Sequence, residues 1–138
     1  MEWVSIDPGE TTGLAFWSDS RLVEARQEAL WDMVDELADT HERYGLFVVE
    51  DWALYPWELK SLAWDKCRTA RAIGALELIT RLHGIRLVLQ PAKIKEAAEA
   101  AGAAELFLSP LHENRHLNDA IRHGVHYLAQ QRRAGAAP

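Results

Sequence analysis

The chain has 138 residues, 49% of them hydrophobic and 26% charged, with a formal net charge of −6. That size and balance suit one globular domain with one substantial core, and the acidic excess argues against a generic nucleic-acid binder, which carries a basic surplus. A single cysteine, Cys67, excludes a disulfide framework and a cysteine-based zinc site, and neither a long apolar run nor a basic leader segment is present, so a cytoplasmic protein with no membrane partner is expected.

Residues 2–7 (EWVSID) and 12–17 (TGLAFW) read as strands joined by a tight PGE turn, and 21–26 (RLVEAR) alternates as a third strand. An amphipathic helix follows over 29–43. Leu30, Met33, Val34 and Leu37 form its inner face, while Asp32, Asp35, Glu36, Asp39 and Glu42 form a solvated outer face that carries much of the negative charge. GLFVVED is a short apolar run ending in two carboxylates, as a buried central strand does. WALYPWELKSL begins as a loop broken by Pro56 and leads into a long helix over 58–83, closed by Gly84. IRLVLQ (85–90) reads as another buried strand, and Pro91 opens a helix that ends near Ala101. Residues 102–115 are irregular, a closing helix covers 116–131, and 132–138 form a flexible tail, which leaves 1–131 as a single domain. The order β-β-β-α-β-α-β-α-α predicts an α/β fold, a mixed five-stranded sheet with helices on both faces.

The closing helix, HLNDAIRHGVHYL, has an unusual second stripe. At about 100° per residue, His116, Asp119, His123 and Tyr127 share one face beside the apolar face of Leu117, Ile121, Val125 and Leu128, while Asn118 is expected to face solvent. Asp7 ends the first strand and Glu50 the fourth. If those strands are neighbours, both carboxylates emerge at the carboxyl edge of the sheet, where open α/β sheets place their sites, and the closing helix can deliver His116 and Asp119 to the same edge. Each piece alone has a plain structural explanation: a turn, a strand leaving the core, a helix surface pair. Together they form a set suited to hard cations. Mg²⁺ takes a few carboxylates and keeps waters, and two such ions activate a water and stabilise the leaving oxygen of a phosphodiester. A histidine in the set can ligate or act as a general acid or base.

These residues resemble the RuvC-type Holliday-junction resolvases of the RNase H-like superfamily, especially the small phage versions. SIDPGETTGLAFW looks like the family's first hairpin, with its aspartate, Pro-Gly and a later Gly; FVVEDW looks like the strand bearing the second carboxylate. QPAKIKEAAEAAG is similar to a strand–helix segment with basic residues near DNA, and HLNDAIRHGVHYL to the closing helix with H-x-x-D. The resemblance spans residues 2–128. It implies an RNase H-like fold and a Mg²⁺-dependent endonuclease (Mn²⁺ able to substitute) that resolves four-way DNA junctions as a homodimer joined through the long central helix, in a bacterial cell or phage-infected host. It makes Asp7, Glu50, His116 and Asp119 the catalytic, metal-binding set for two ions, and places Lys95 near the scissile strand with Lys93 beside it. A further family lysine is absent here, where the chain reads AGAAELFL.

The acidic net charge does not exclude this reading, because phosphate binding depends on local cations. Lys60, Lys66, Arg68 and Arg71 outnumber Asp65 over 59–71, with Lys93, Lys95 and Arg122 in addition. Trp52, Tyr55, Trp57 and Trp64 follow Glu50, where aromatic rings either stack on bases opened at a branch point or fill core and dimer interface. His123 is expected behind the metal set, and Tyr127 either beside it or packed on the sheet. An actin-like ATPase needs a second domain that 138 residues do not supply, and no H-E-x-x-H spacing supports a zinc hydrolase. The rivals that remain are a same-fold nuclease for flaps, other branched DNA or RNA-containing substrates, and a non-catalytic branched-DNA binding protein.

Overall fold

Strands β1 (Glu2–Asp7), β2 (Thr11–Ser18) and β3 (Arg21–Ala29) form an antiparallel meander. Strand β4 (Leu46–Glu50) then pairs parallel with β1, and β5 (Arg86–Gln90) parallel with β4, giving one mixed sheet in the order β3-β2-β1-β4-β5. The computed structural model describes residues 1–53, 64–107 and 114–135, with the side chains of 64–66 outside that description. Its helices are α1 (Leu30–Asp39), α2 (Trp64–His83), α3 (Lys95–Ala100) and α4 (Arg115–Arg133).

Period-two alternation sorts the strand residues into two cores. Trp3, Ala15, Trp17, Leu46 and Val48 face α4 and α3, whereas Val4, Ile6, Leu14, Phe47 and Val49 face α1 and α2. The α/β architecture with helices on both faces is therefore the one the element order predicts.

The differences are local. Strand β3 runs three residues past the expected Arg26 and passes into α1 without a loop. Helix α1 stops at Asp39, where Thr40 leaves helical geometry and donates its hydroxyl to the Glu36 carbonyl (2.8 Å), and His41–Arg43 continue as a 3-10 turn. The helix expected from Pro91 begins as a 3-10 turn over Ala92–Ile94 before α3. Helix α4 extends to Arg133, so Arg132 and Arg133 are helical where a tail is expected. Strand β5 is not buried as its apolar run suggests. It is the outermost strand, partnered on one side only, and Leu89 is 39% exposed.

A small acid cluster beside β3 has a consequence for stability. Arg26 bridges Glu24, Glu28 and Glu36, yet Glu28 Oε2 is buried with no hydrogen-bond partner among the described residues. Burial, then the neighbouring Glu36 carboxyl, pushes the Glu28 carboxyl up to about 7. A carboxyl whose pKa is raised on folding favours the folded state below its unfolded value and loses that advantage as pH rises through the folded one. Glu28→Gln is therefore expected to melt with the wild type at pH 4.5 and above it at pH 8, a gap that thermal melts across this range will show.

Candidate active site

Asp7 is in phase with Trp3 and Ser5, and Glu50 with Leu46 and Val48, so both carboxylates leave the sheet on the face that α4 covers. Ile6 is level with Val49 in the parallel β1–β4 pair, which puts Asp7 and Glu50 side by side just beyond it, at the carboxyl edge. The condition on which the sequence argument rested, that these two strands be neighbours, is met.

Helix α4 lies close against this surface for specific reasons. The Trp17 indole donates to Ser5 Oγ (2.9 Å), and Ser5 Oγ donates to the Ala120 carbonyl (2.7 Å). Gly13 and Gly124 remove the side chains that would hold the helix away. A Cβ on Gly13 would lie 1.8 Å from the His116 carbonyl oxygen, and one on Gly124 would lie 2.3 Å from the Trp17 ring.

The helix then presents its polar residues one after another. His116 Nδ1 lies 2.7 Å from Asp7 Oδ2. Lys95, at the start of α3, donates to Asp119 Oδ2 (2.7 Å) and stands 3.9 Å from Glu50 Oε2. Arg122 donates to the other Asp119 oxygen, Oδ1 (2.6 Å), and twice to Glu99 Oε1 (3.0 and 2.6 Å). His123, fully buried, spans from Glu50 Oε2 at Nε2 to the Gln90 amide at Nδ1, both 2.8 Å. Three carboxylates from three segments thus meet at one edge, each held by a nitrogen partner.

The electrostatics follow from burial and crowding. Burial pushes the Asp7 carboxyl up, and the charges of Glu50 and Asp119 add to this against the opposing hydrogen bond from His116. Glu50 goes the other way. Burial acts upward on it, but the His123 hydrogen bond and charge, with Lys95 and Asp7, hold it below the usual carboxylate range. The hydrogen bond to Asp7 raises His116 above an ordinary imidazole, against some desolvation.

Among the described residues no three His, Cys, Asp or Glu side chains stand together as a ready metal-holding group. Both oxygens of Asp119, and one each of Asp7 and Glu50, are paired with nitrogen. The donor chemistry nevertheless fits a hard divalent cation. The donors are carboxylate oxygens at a partly buried edge, and Asp7 is pushed up first by burial and then by the charges of Glu50 and Asp119, which a cation placed among them would offset.

The other sequence candidates fall in different places. Arg68 is exposed on α2 and stands 3.8 Å from Glu10, and Lys93 is exposed ahead of α3. Trp52 is half-buried against the core between the sheet and α1–α2. Tyr55, Trp57 and Lys60 lie outside the described residues, as do the side chains of Trp64 and Lys66. Arg122 is not a free cation for phosphate, because it is 8% exposed and spent on Asp119 and Glu99. Asn118 does not face solvent. It is fully buried, and its amide has no hydrogen-bond partner among the described residues. Tyr127 packs on the sheet, its ring edge-on to Trp3 at 5.3 Å. Sequence reasoning missed Gln90, Glu99 and Ser5. Gln90 alone had a usable signal, a polar residue ending an apolar strand exactly as Glu50 does one strand away.

No known family model matches the chain, and no curated protein matches it in sequence. Its structure is similar to solved structures of Thermus thermophilus RuvC. One, RuvC in complex with Holliday junction substrate, superposes with a TM-score of 0.72 at 17% identity, over 99% of this chain and 98% of that one. A second RuvC structure gives a TM-score of 0.63 at 19% identity over the same shares. From β1 to α4, this chain has the RNase H-like fold of RuvC.

Proposed function

We propose that this chain is a divalent-metal-dependent endonuclease that resolves four-way DNA junctions. The observation that carries the reading is the convergence of Asp7, Glu50 and Asp119, with His116, at the carboxyl edge of a fold that matches junction-bound RuvC along nearly its full length. In this reading Asp7, Glu50, His116 and Asp119 hold two Mg²⁺ or Mn²⁺ ions. Such ions supply the activation of a water and the stabilisation of the leaving oxygen at a phosphodiester.

The chain's own residues do the positioning. His123, braced by Gln90, fixes the direction of Glu50, and Arg122, braced by Glu99, fixes that of Asp119. His116 sits on Asp7 through Nδ1, and in this reading its second ring nitrogen serves a ligand or a proton. Lys95 at the start of α3, Lys93 in the turn before it and Arg68 on α2 supply local cations for the phosphate backbone, and the sequence adds Lys60, Lys66, Trp52 and Tyr55 as candidates for DNA contact.

Two symmetric incisions need two sites, so the active form is a homodimer. Helix α2 offers the face for it, because Leu78 and Leu82, one turn apart, are 58% and 70% exposed. Leu78→Asp combined with Leu82→Asp is expected to give a folded monomer in light scattering that nicks junctions singly instead of in pairs. A double variant that stays dimeric excludes this face.

The deciding experiment incubates an end-labelled immobile four-way junction with the protein and Mg²⁺, beside flap, duplex and RNA–DNA hybrid substrates. Paired, symmetric nicks confined to the junction support a resolvase. Cleavage of the flap or hybrid instead moves the substrate while keeping the site. Junction binding without product in either Mg²⁺ or Mn²⁺ makes the chain a binding protein.

A further inference from the structure

The two oxygens of Asp119 have different partners. Oδ1 is held by Arg122 at 2.6 Å, and that guanidinium is itself anchored on Glu99 and 8% exposed. Oδ2 has Lys95 at 2.7 Å. The Lys95 ammonium also stands 3.9 Å from Glu50 Oε2, so it bridges two carboxylates, one at the end of β4 and one on α4. Arg122 is buried and doubly braced, whereas the Lys95 side chain is 32% exposed and hangs from the first residue of α3 on a flexible stem. One oxygen of Asp119 is therefore fixed and the other is held by a cation free to leave. A divalent ion held between Glu50 and Asp119 needs that second oxygen.

We propose that Lys95 is the resident cation of this site, exchanged for the divalent ion when metal binds, so that loading releases its ammonium from Asp119 toward the phosphate of the substrate. The proposal rests on the nuclease reading for what the site binds, but it concerns the order of events. Metal and Lys95 claim the same oxygen, so each weakens the other's hold. An arriving phosphate that draws Lys95 outward then opens the site to metal, which makes loading tighter on DNA than off it.

The exchange is tested without turnover, by titrating Mg²⁺ into the DNA-free protein in a calorimeter and by melting it in EDTA. Lys95→Met removes the competitor while keeping the length of the side chain. It is expected to bind Mg²⁺ about tenfold tighter than the wild type, the factor that one charge-assisted hydrogen bond represents, and to melt lower in EDTA, where Glu50 and Asp119 lose their shared cation. Lys93→Met makes the same charge change at an exposed neighbour and is expected to leave both quantities near wild type. Lys95→Arg keeps the charge, adds donors and is expected to bind Mg²⁺ more weakly than the wild type; it serves also if Lys95→Met fails to fold. Mg²⁺ binding in Lys95→Met that is no tighter than wild type, or that Lys93→Met reproduces, overturns the exchange. A wild type that binds Mg²⁺ competitively with Lys95 yet leaves every junction intact removes the nuclease reading and keeps the exchange.

Discussion

Asp7→Asn is expected to lower junction cleavage by about three orders of magnitude, the scale of losing a metal ligand that contributes several kcal/mol to the transition state, and at the same time to stabilise the protein in EDTA. The second half is the unusual one. Burial, Glu50 and Asp119 all raise the Asp7 carboxyl on folding. A group raised in this way opposes folding once the pH exceeds its unfolded value, and the penalty is complete above its folded value. Asparagine removes that penalty while its amide can still pair with His116. The melting temperature in EDTA at pH 7.5 should rise, whereas the gain on adding Mg²⁺ should shrink. Differential scanning with and without Mg²⁺ reads both, and a variant that melts lower in EDTA contradicts the account of Asp7 as a charge held at a cost.

Gly13→Ala is expected to be the most damaging substitution outside the acidic set. Its methyl would sit 1.8 Å from the His116 carbonyl oxygen and 2.8 Å from the Leu117 nitrogen, contacts with backbone that no rotamer change relieves. The first turn of α4 must lift. The stability loss should approach the upper end of overpacking costs, about 3 kcal/mol, or roughly 10 °C in melting temperature for a domain of this size. Gly13 is paired with Asp7 across β1–β2, so the same movement draws His116 away from Asp7. A displacement near 1 Å at reacting groups costs about a hundredfold in rate. Cleavage should therefore fall by about that factor even at temperatures where the variant remains folded, as circular dichroism and the junction assay together will show.

Much of this edge was legible in the sequence because local rules dictate it. An apolar run that ends in an acid, as SID and FVVE do, places a carboxylate where a strand leaves the core, and the period of two then settles which face it takes. The spacing of His116 and Asp119 put them on one stripe of a helix in the same way. What stayed hidden depends on which elements lie beside each other. Arg122 looked like a spare cation because nothing local announces Glu99, which reaches it only when α3 packs on α4. Helical periodicity alone places Asn118 in solvent because it assumes one buried side, whereas α4 is enclosed along most of its circumference from Leu117 to Val125. The edge position of β5 was hidden for the same reason, since strand order cannot be read from the composition of a strand.

The placement of α4 also says when the site comes into being. Asp7 and His116 are 109 positions apart, Glu50 and His123 are 73 apart, and the Ser5–Ala120 link that seats the helix joins residues 115 apart. None of these contacts can form before α4 has been made, however well the opening hairpin has folded. Strands β1 and β4 are made before that helix, and Asp7 and Glu50 acquire their histidines and Asp119 only when α4 docks. Docking of α4 thus closes the core on its own face of the sheet and assembles the candidate site in a single event.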